Sequence, residues 1–394
     1  MKFHRKSQLS FPAAGNESGE NEMDQEILRL ATELRHELHA HPELSNQESW
    51  TKGRLMDFLR SHTTRLELVD RGRWFYGVLR AGGDRRSVAL RADFDAVPVE
   101  DRCDLPYVSR VPGVGHKCGH DGHSATLAAL ALVLDREGAD KNVCFLFQHA
   151  EETGDGAREC AALLREEKVD EIFGFHNRPG LPLGMVQVLD GCVYCASEGM
   201  ILSFQGVPSH ASMPELGRNP AYAIAEIVRA LPELTDPAAW RGMVFATIIQ
   251  IDVGEPAFGT QASRGKLLLT IRGQYAEELD ALRASIRALA EEKAARDGLE
   301  LEISFRDVFP DTVSWPSSNE KIRRCCAELG IPCREMPAPF RSSEDFGWYT
   351  KLIPGAFFEI GGGEGGDLHT VGMDFNDAII PVAVKLYRRL IEIC

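Results

Sequence analysis

The sequence predicts an α/β fold in which a mostly parallel sheet flanked by helices is interrupted by a smaller ferredoxin-like α+β unit. Three observations carry this. Short, uniformly apolar segments at 143–147 (VCFLF) and 172–175 (IFGF) alternate with helical stretches, as strands buried on both faces do. From about 195 the order changes to strand, helix, two strands, helix, strand, which is the βαββαβ arrangement. The chain then returns to an apolar strand at 356–360 and a closing helix at 381–393. At 394 residues it is too long for one ordinary core. The expected organisation is a flexible tail over 1–23, one domain from 24–194 together with 312–394, and an inserted unit at 195–311.

Taken in order, 24–38 has apolar residues at Ile27, Leu30, Ala31, Leu34 and Leu38, the spacing of an amphipathic helix, and Pro42 stops it. His36, His39 and His41 follow one another closely there. No strand end accompanies them in sequence, so they read as structural. A second helix covers about 48–60, and 87–90 (SVAL) is a strand that runs into Asp93 and Asp95. Two acids two residues apart share a side if the chain stays extended, although an ordinary polar loop accounts for them equally well.

The densest chemistry lies in 113–134 (GVGHKCGHDGHSATLAALALVL), with Cys118, His120, Asp121 and His123 at the mouth of an apolar helix. Thiol, imidazole and carboxylate at such spacing point to a metal site. Gly119 and Gly122 would allow a tight backbone, and the positive helix N-terminus would favour a Cys118 thiolate. The competing explanation is a buried free cysteine in a histidine-rich turn. Strand 143–147 ends at Glu151 and Glu152, adjacent acids that face different ways and so can take different tasks. Strand 172–175 ends at His176.

Within the inserted unit, 198–204 is a strand and 206–212 a turn-rich loop carrying His210. Asn219-Pro220 opens a helix with a good cap. Strands follow near 245–251 and 266–272, then a helix at 277–296 and a strand at 299–305. Arg272, at a strand end, is a candidate partner for a substrate carboxylate, although an arginine there is more often part of a surface or structural ion pair; Asn219 is a second candidate substrate contact. After a helix at 319–329, the glycines of 361–366 follow a strand but lack a GxGxxG entering a helix, so no dinucleotide site is expected.

Hydrophobic content of 44% and charged content of 26% are ordinary for a soluble globular chain. A formal net charge of −15 argues against nucleic acid or anionic membrane as a partner. No apolar run approaches the roughly 20 residues that span a bilayer. The N-terminus lacks the apolar core of a signal peptide. The ten cysteines show no paired spacing, so reduced thiols in a cytoplasmic protein are expected.

LRADFDAVP (90–98), CGHDGHSA (118–125), FQHAEETG (147–154), FHN (175–177), GVPSHASMP (206–214), SEDF (343–346), and HT with DFND (369–377) occur in an order that resembles the M20 metallopeptidase family, in particular its amidohydrolase branch of hippurate and indole-acetyl-amino-acid hydrolases. The resemblance runs from about Asp24 to the C-terminus. It implies a catalytic domain with two divalent ions, zinc or manganese, held by Cys118, His120, Glu152, His176 and His369. It makes Glu151 the general base that later protonates the leaving amine, and Asp95 the acid that orients a ligand. It makes His210 the residue that reaches a neighbouring subunit's oxyanion in a homodimer joined through the inserted unit. The implied substrate is a small N-acyl amino acid or related N-acyl amine. The alternatives are a dipeptidase, a deacylase of a specialised metabolite, a silent metal-binding regulator, and a Cys118–His120 nucleophile. The chain departs from the branch at His149, at Thr153-Gly154-Asp155, at Glu215 and at Val371-Gly372.

Overall fold

The computed structural model describes residues 18–83 and 85–394, with side chains from Gln25 onward. The expected tail at 1–23 lies mostly outside this range. Its last residues are helical, since α1 (Ser18–Ala40) begins ahead of the apolar spacing. There follow α2 (Ser49–His62), β1 (Glu67–Asp70), β2 (Phe75–Leu79), β3 (Ser87–Asp93), α3 (His120–Glu137), β4 (Asn142–Gln148), α4 (Gly156–Cys160), α5 (Ala162–Glu166), β5 (Val169–Pro179), β6 (Val186–Val188) and β7 (Gly191–Tyr194). A second unit is built from β8 (Ala196–Gln205), α6 (Ala221–Leu234), β9 (Val244–Val253), β10 (Arg264–Gly273), α7 (Ala276–Asp297) and β11 (Glu300–Phe309). The chain closes with β12 (Thr312–Ser314), α8 (Pro316–Leu329), β13 (Cys333–Glu335), α9 (Gly347–Thr350), β14 (Gly355–Gly363) and α10 (Ile379–Ile393).

The large sheet has the order β1-β2-β4-β3-β5-β14-β6-β13, and its centre, β4-β3-β5-β14, is parallel throughout. Leu90 sits opposite Phe145 on one side and Phe173 on the other. Successive side chains leave opposite faces. Leu90, Phe145, Phe173 and Phe358 enter one core with residues of α1, α3 and α10. Ala89, Cys144, Leu146, Ile172 and Phe357 enter a second core with Leu163 and Tyr349. Cover on both faces is why these strands read as uniformly apolar. Helix α3 is buried from His120 to Asp135, which explains its near-uniform apolarity.

The second unit is a four-stranded antiparallel sheet, β11-β8-β10-β9, with α6 and α7 packed on one face over Met200, Leu202, Ile227, Leu269 and Ile286. The chain enters and leaves this unit beside the β7–β12 pair, so both crossings are tied by one short ladder. Strands β1, β2, β6, β7, β12 and β13 were not evident in sequence, because segments of three to five residues are too short to display a period. Among the described residues no helix is long and apolar enough to cross a membrane.

Candidate metal centre

The carboxyl ends of β3, β4 and β5 deliver the polar side chains, as open parallel sheets tend to do. β3 ends at Asp93, with Asp95 just beyond. After β4, Ala150 adopts φ 48°. This turn is held by the Ala150 N–H donating to the buried Glu48 Oε1 (2.8 Å), and it splits the directions of Glu151 and Glu152. His176 and Asn177 lie within β5 rather than after it. His369 follows β14 on a loop and has φ 61°.

Cys118 directly precedes α3, whose first residue is His120. Between them Gly119 has φ 102°, and a Cβ there would stand 2.4 Å from Asn177 Oδ1. Gly122 serves closeness rather than the turn, since a Cβ on it would lie 2.2 Å from the Phe375 ring.

Two sets of ligand-type atoms, each mutually within 4.8 Å, share the thiol: Cys118–His120–His176 and Cys118–Glu152–His369. Cys118 Sγ lies 3.2 Å from His176 Nε2, and Glu152 Oε1 lies 3.3 Å from His369 Nε2. His120 Nε2 has carboxylate oxygens of Glu152, Glu151 and Asp93 at 3.7, 3.8 and 3.9 Å. A further set, His120–Glu151–Glu152, brings Glu151 against two members of these, and Asp93–His120–His123 and Glu151–Glu344–Asp345 flank the centre.

The imidazoles are aimed through their other nitrogens. His176 Nδ1–H donates to the Asn177 carbonyl (2.8 Å), and His120 Nδ1–H donates to Asp95 Oδ1 (3.1 Å). Both Nε2 atoms are thereby turned to the cluster, the arrangement of ligating histidines, His176 as the neutral imidazole and His120 with a proton that a bound ion would displace. Asp95 is itself fixed by the Ser45 hydroxyl (2.7 Å) and the Glu152 N–H (3.0 Å). Cys118 faces His176 rather than His120, so the nucleophile pair suggested by sequence proximity is not formed.

A divalent ion fits this set. His120 Nε2 and Glu152 Oε1 are buried without a well-directed hydrogen bond, although His369 approaches the latter. Buried polar atoms are rarely left so. Thiol, imidazole and carboxylate are the donors zinc and its neighbours take. Burial and the Glu152, Glu151 and Asp93 carboxylates push the Cys118 thiol well above its ordinary value, so the helix N-terminus alone does not hold a thiolate, contrary to the sequence expectation. Burial and the neighbouring His123, His120 and Arg178 keep His176 neutral, well below the usual imidazole range. Burial lowers His120, but Asp93, Asp95 and Glu152 more than offset it and raise it to about 10. Burial with Glu344, Glu152 and Asp345 lifts Glu151 well above the usual carboxylate range.

Sequence reading missed Arg91. Its guanidinium is buried and donates to Gln148 (2.8 Å), Glu344 (3.0 Å) and Asp345 (2.8 Å), besides pairing with Asp93. The signal was present as a lone arginine inside an apolar strand. Arg272 lines a cleft of about 410 Å³ above the centre, together with Glu151, Glu152, His176 and Arg178. It donates to the Arg341 carbonyl (3.0 Å) and Ser343 Oγ (2.7 Å) and has no acidic partner among the described residues. Neither His210 nor Asn219 is brought to this cleft. His210 sits on an exposed loop, where Nδ1 accepts from the Ser212 N–H (3.1 Å). Asn219 Oδ1 is engaged by the Ala221 N–H (2.9 Å) at the start of α6, which is a capping role.

The chain is 28% identical over 368 residues to an N-acetylcysteine deacetylase of Bacillus subtilis (strain 168), covering 91% of this chain and 94% of the relative. It is likewise 28% identical over 381 residues to a hydrolase of Staphylococcus aureus (strain bovine RF122 / ET3-1), covering 93% and 98%. Its fold superposes on the crystal structure of a dinuclear metal-binding M20 peptidase from Bacillus subtilis with a TM-score of 0.78 and 26% identity, over 94% of this chain and 98% of the other. Residues 89–393 match peptidase family M20/M25/M40, so the chain belongs to that family and is a metal-dependent hydrolase of amide bonds.

Proposed function

We propose that this protein cleaves the amide of an N-acyl amino acid or a related N-acyl amine, with two divalent ions in its centre. The observation that carries this reading is the pair of ligand sets sharing Cys118 beside a carboxylate, Glu151, that neither set needs. A purely structural zinc site closes with four ligands and has no use for a spare acid. Cys118, His120, Glu152, His176 and His369 would hold the ions, and Asp95 would keep His120 in its ligating tautomer. When bound, such ions polarise a carbonyl and bring the pKa of water from 15.7 to about 7.

Glu151 takes a proton from the attacking water as oxygen adds to the acyl carbon. It passes that proton to nitrogen as the C–N bond breaks, leaving a carboxylic acid and an amine, which become carboxylate and ammonium once the second water proton moves to nitrogen. Its raised pKa suits a group that must accept and then return a proton. Arg272, a cation without an acid, receives a carboxylate on the amine half. His210 serves the cleft of a second subunit. In support, its Nδ1 accepts a backbone hydrogen bond, which leaves Nε2–H as a donor for an oxyanion. The edge strand β9 also exposes Ile248, Ile249 and Ile251, which is apolar surface for a second copy.

The test is metal content by elemental analysis, with turnover of N-acyl amino acids and dipeptides followed through stripping and re-addition, in wild type and Glu151→Gln. About two ions per chain are expected in both proteins, with turnover that tracks metal in wild type and falls roughly 10²-fold or more in the variant. A chain that takes up no metal, or a Gln variant that stays active, would overturn the assignment.

A further inference from the structure

Two cavities border the candidate centre. One is the polar cleft with Arg178 and Arg272 on its walls. The other, about 550 Å³, adjoins it and takes much of its lining from Leu44, Ala96, Val97, Pro98 and Val99. Three residues border both: Glu152, His369 and Asp307. The first two are candidate ligands. The third comes from the second sheet and has no place in the centre.

Asp307 is held where it is at a cost. The pairing of β11 with β8 slips between Arg306 and Phe309, and within that bulge Asp307 has φ 49°. Bulges of this kind re-aim a side chain, and left-handed backbone at a residue other than glycine persists only where its surroundings impose it. The imposing contact is visible: the Val308 carbonyl packs on Gly154, where a Cβ would come within 2.7 Å of it. Gly154 lies in the turn that follows Glu151 and Glu152. The bulge is therefore clamped to the catalytic turn and delivers a carboxylate between the two cavities. Asp307 is exposed at this border, and its carboxylate makes no hydrogen bond and no ion pair among the described residues, the neighbouring Arg306 included.

We infer that Asp307 is a specificity-determining residue that receives a protonated amino group on the acyl half of the substrate, so that the substrates are aminoacyl amides of the dipeptide type. This rests on the proposed hydrolase reading, which puts the scissile amide beside Glu152. With the carboxylate of the amine half at Arg272, the acyl half enters the second cavity. An α-amino group is one bond from the reacting carbon's neighbour, so it falls at the border that Asp307 occupies, while an apolar acyl side chain meets Leu44, Val97 and Val99. A cation at one end and an acid at the centre make the site complementary to a zwitterion.

Two ligands that differ only in the ammonium group decide the matter: L-leucyl-L-alanine and 4-methylpentanoyl-L-alanine. Binding is measured by calorimetry on zinc-loaded Glu151→Gln, which removes turnover from the readout. The dipeptide should bind at least tenfold tighter than its des-amino analogue. Adding Asp307→Asn, which keeps the shape and tolerates the left-handed backbone, should abolish that preference by weakening the dipeptide alone, with the melting temperature unchanged. Equal binding of the two ligands, loss of both together in the double variant, or no binding of either overturns the inference. If wild type hydrolyses amides but shows no ammonium preference, only the role of Asp307 fails. If the preference holds while wild type turns over neither compound, the hydrolytic reading fails and Asp307 stands.

Discussion

His39 shows how far one residue's surroundings differ from its sequence neighbourhood. It lies in a histidine-rich stretch with no acid nearby in sequence that explains it, yet in the fold its Nδ1 is 2.8 Å from Asp121 and its Nε2 3.0 Å from Asp101, fully buried beside Arg35. It is structural in the fold because two carboxylates from far along the chain hold it, Asp101 on a loop and Asp121 in the first turn of α3. Burial alone would lower its pKa. Asp121 and Asp101 outweigh burial and raise it to about 9. A group whose folded pKa lies above its unfolded value of 6.5 contributes stability that is complete below 6.5 and is lost as pH rises through about 9. Wild type should therefore lose unfolding free energy across that window with a slope approaching about 1.4 kcal/mol per pH unit beyond that of His39→Gln. Denaturant titrations at pH 6, 7.5 and 9 measure it, and parallel slopes in the two proteins would refute it.

At the scale of the element, β3 combines two jobs. Its first half is a plain core strand, whereas Arg91 and Asp93 at its end are as buried as Leu90. Arg91 is the cation that makes the crowding of Asp93, Glu344 and Asp345 tolerable. Removing one partner of a buried ion network leaves uncompensated charge. Arg91→Met should destabilise the fold by about 3–5 kcal/mol, and adding Asp345→Asn should recover part of that loss if the charges couple. Urea unfolding of the single and double variants reads both numbers. A cost under about 0.5 kcal/mol would mean that the acids are protonated and need no counter-ion.

At the scale of the molecule, the β9 edge is the surface that bears on assembly. Ile248, Ile249 and Ile251 are 41, 58 and 51% exposed on a strand with no partner on its outer side among the described residues. An apolar edge invites a further strand. The proposed dimer uses this edge and carries His210 to the other subunit's cleft. Ile249→Lys is expected to shift the protein from dimer to monomer in sedimentation at micromolar concentration. It should lower turnover in parallel while leaving metal content at the wild-type level. A monomeric wild type, or a monomeric variant of full activity, would remove both the interface and the trans role of His210.

What the chain's own pattern determined is the fold class and where the chemistry concentrates. Uniformly apolar short strands require cover on both faces, the βαββαβ run at 196–309 can be read from its periods, and Cys118-Gly119-His120 or Glu151-Glu152 are dense enough to stand out locally. Other features were decided only by the tertiary structure, because they depend on contacts between residues remote in sequence. These include the sharing of Cys118 between two ligand sets, the Asp95–His120 orientation, the pairing of Arg91 with Glu344 and Asp345 from a distant segment, and the aim of Asp307 past a bulge pinned by Gly154. Local periodicity records which face of an element is buried. It carries no information on which distant charge will be buried beside it, and in a low-dielectric interior that neighbour, rather than the residue's own type, sets protonation, orientation and role.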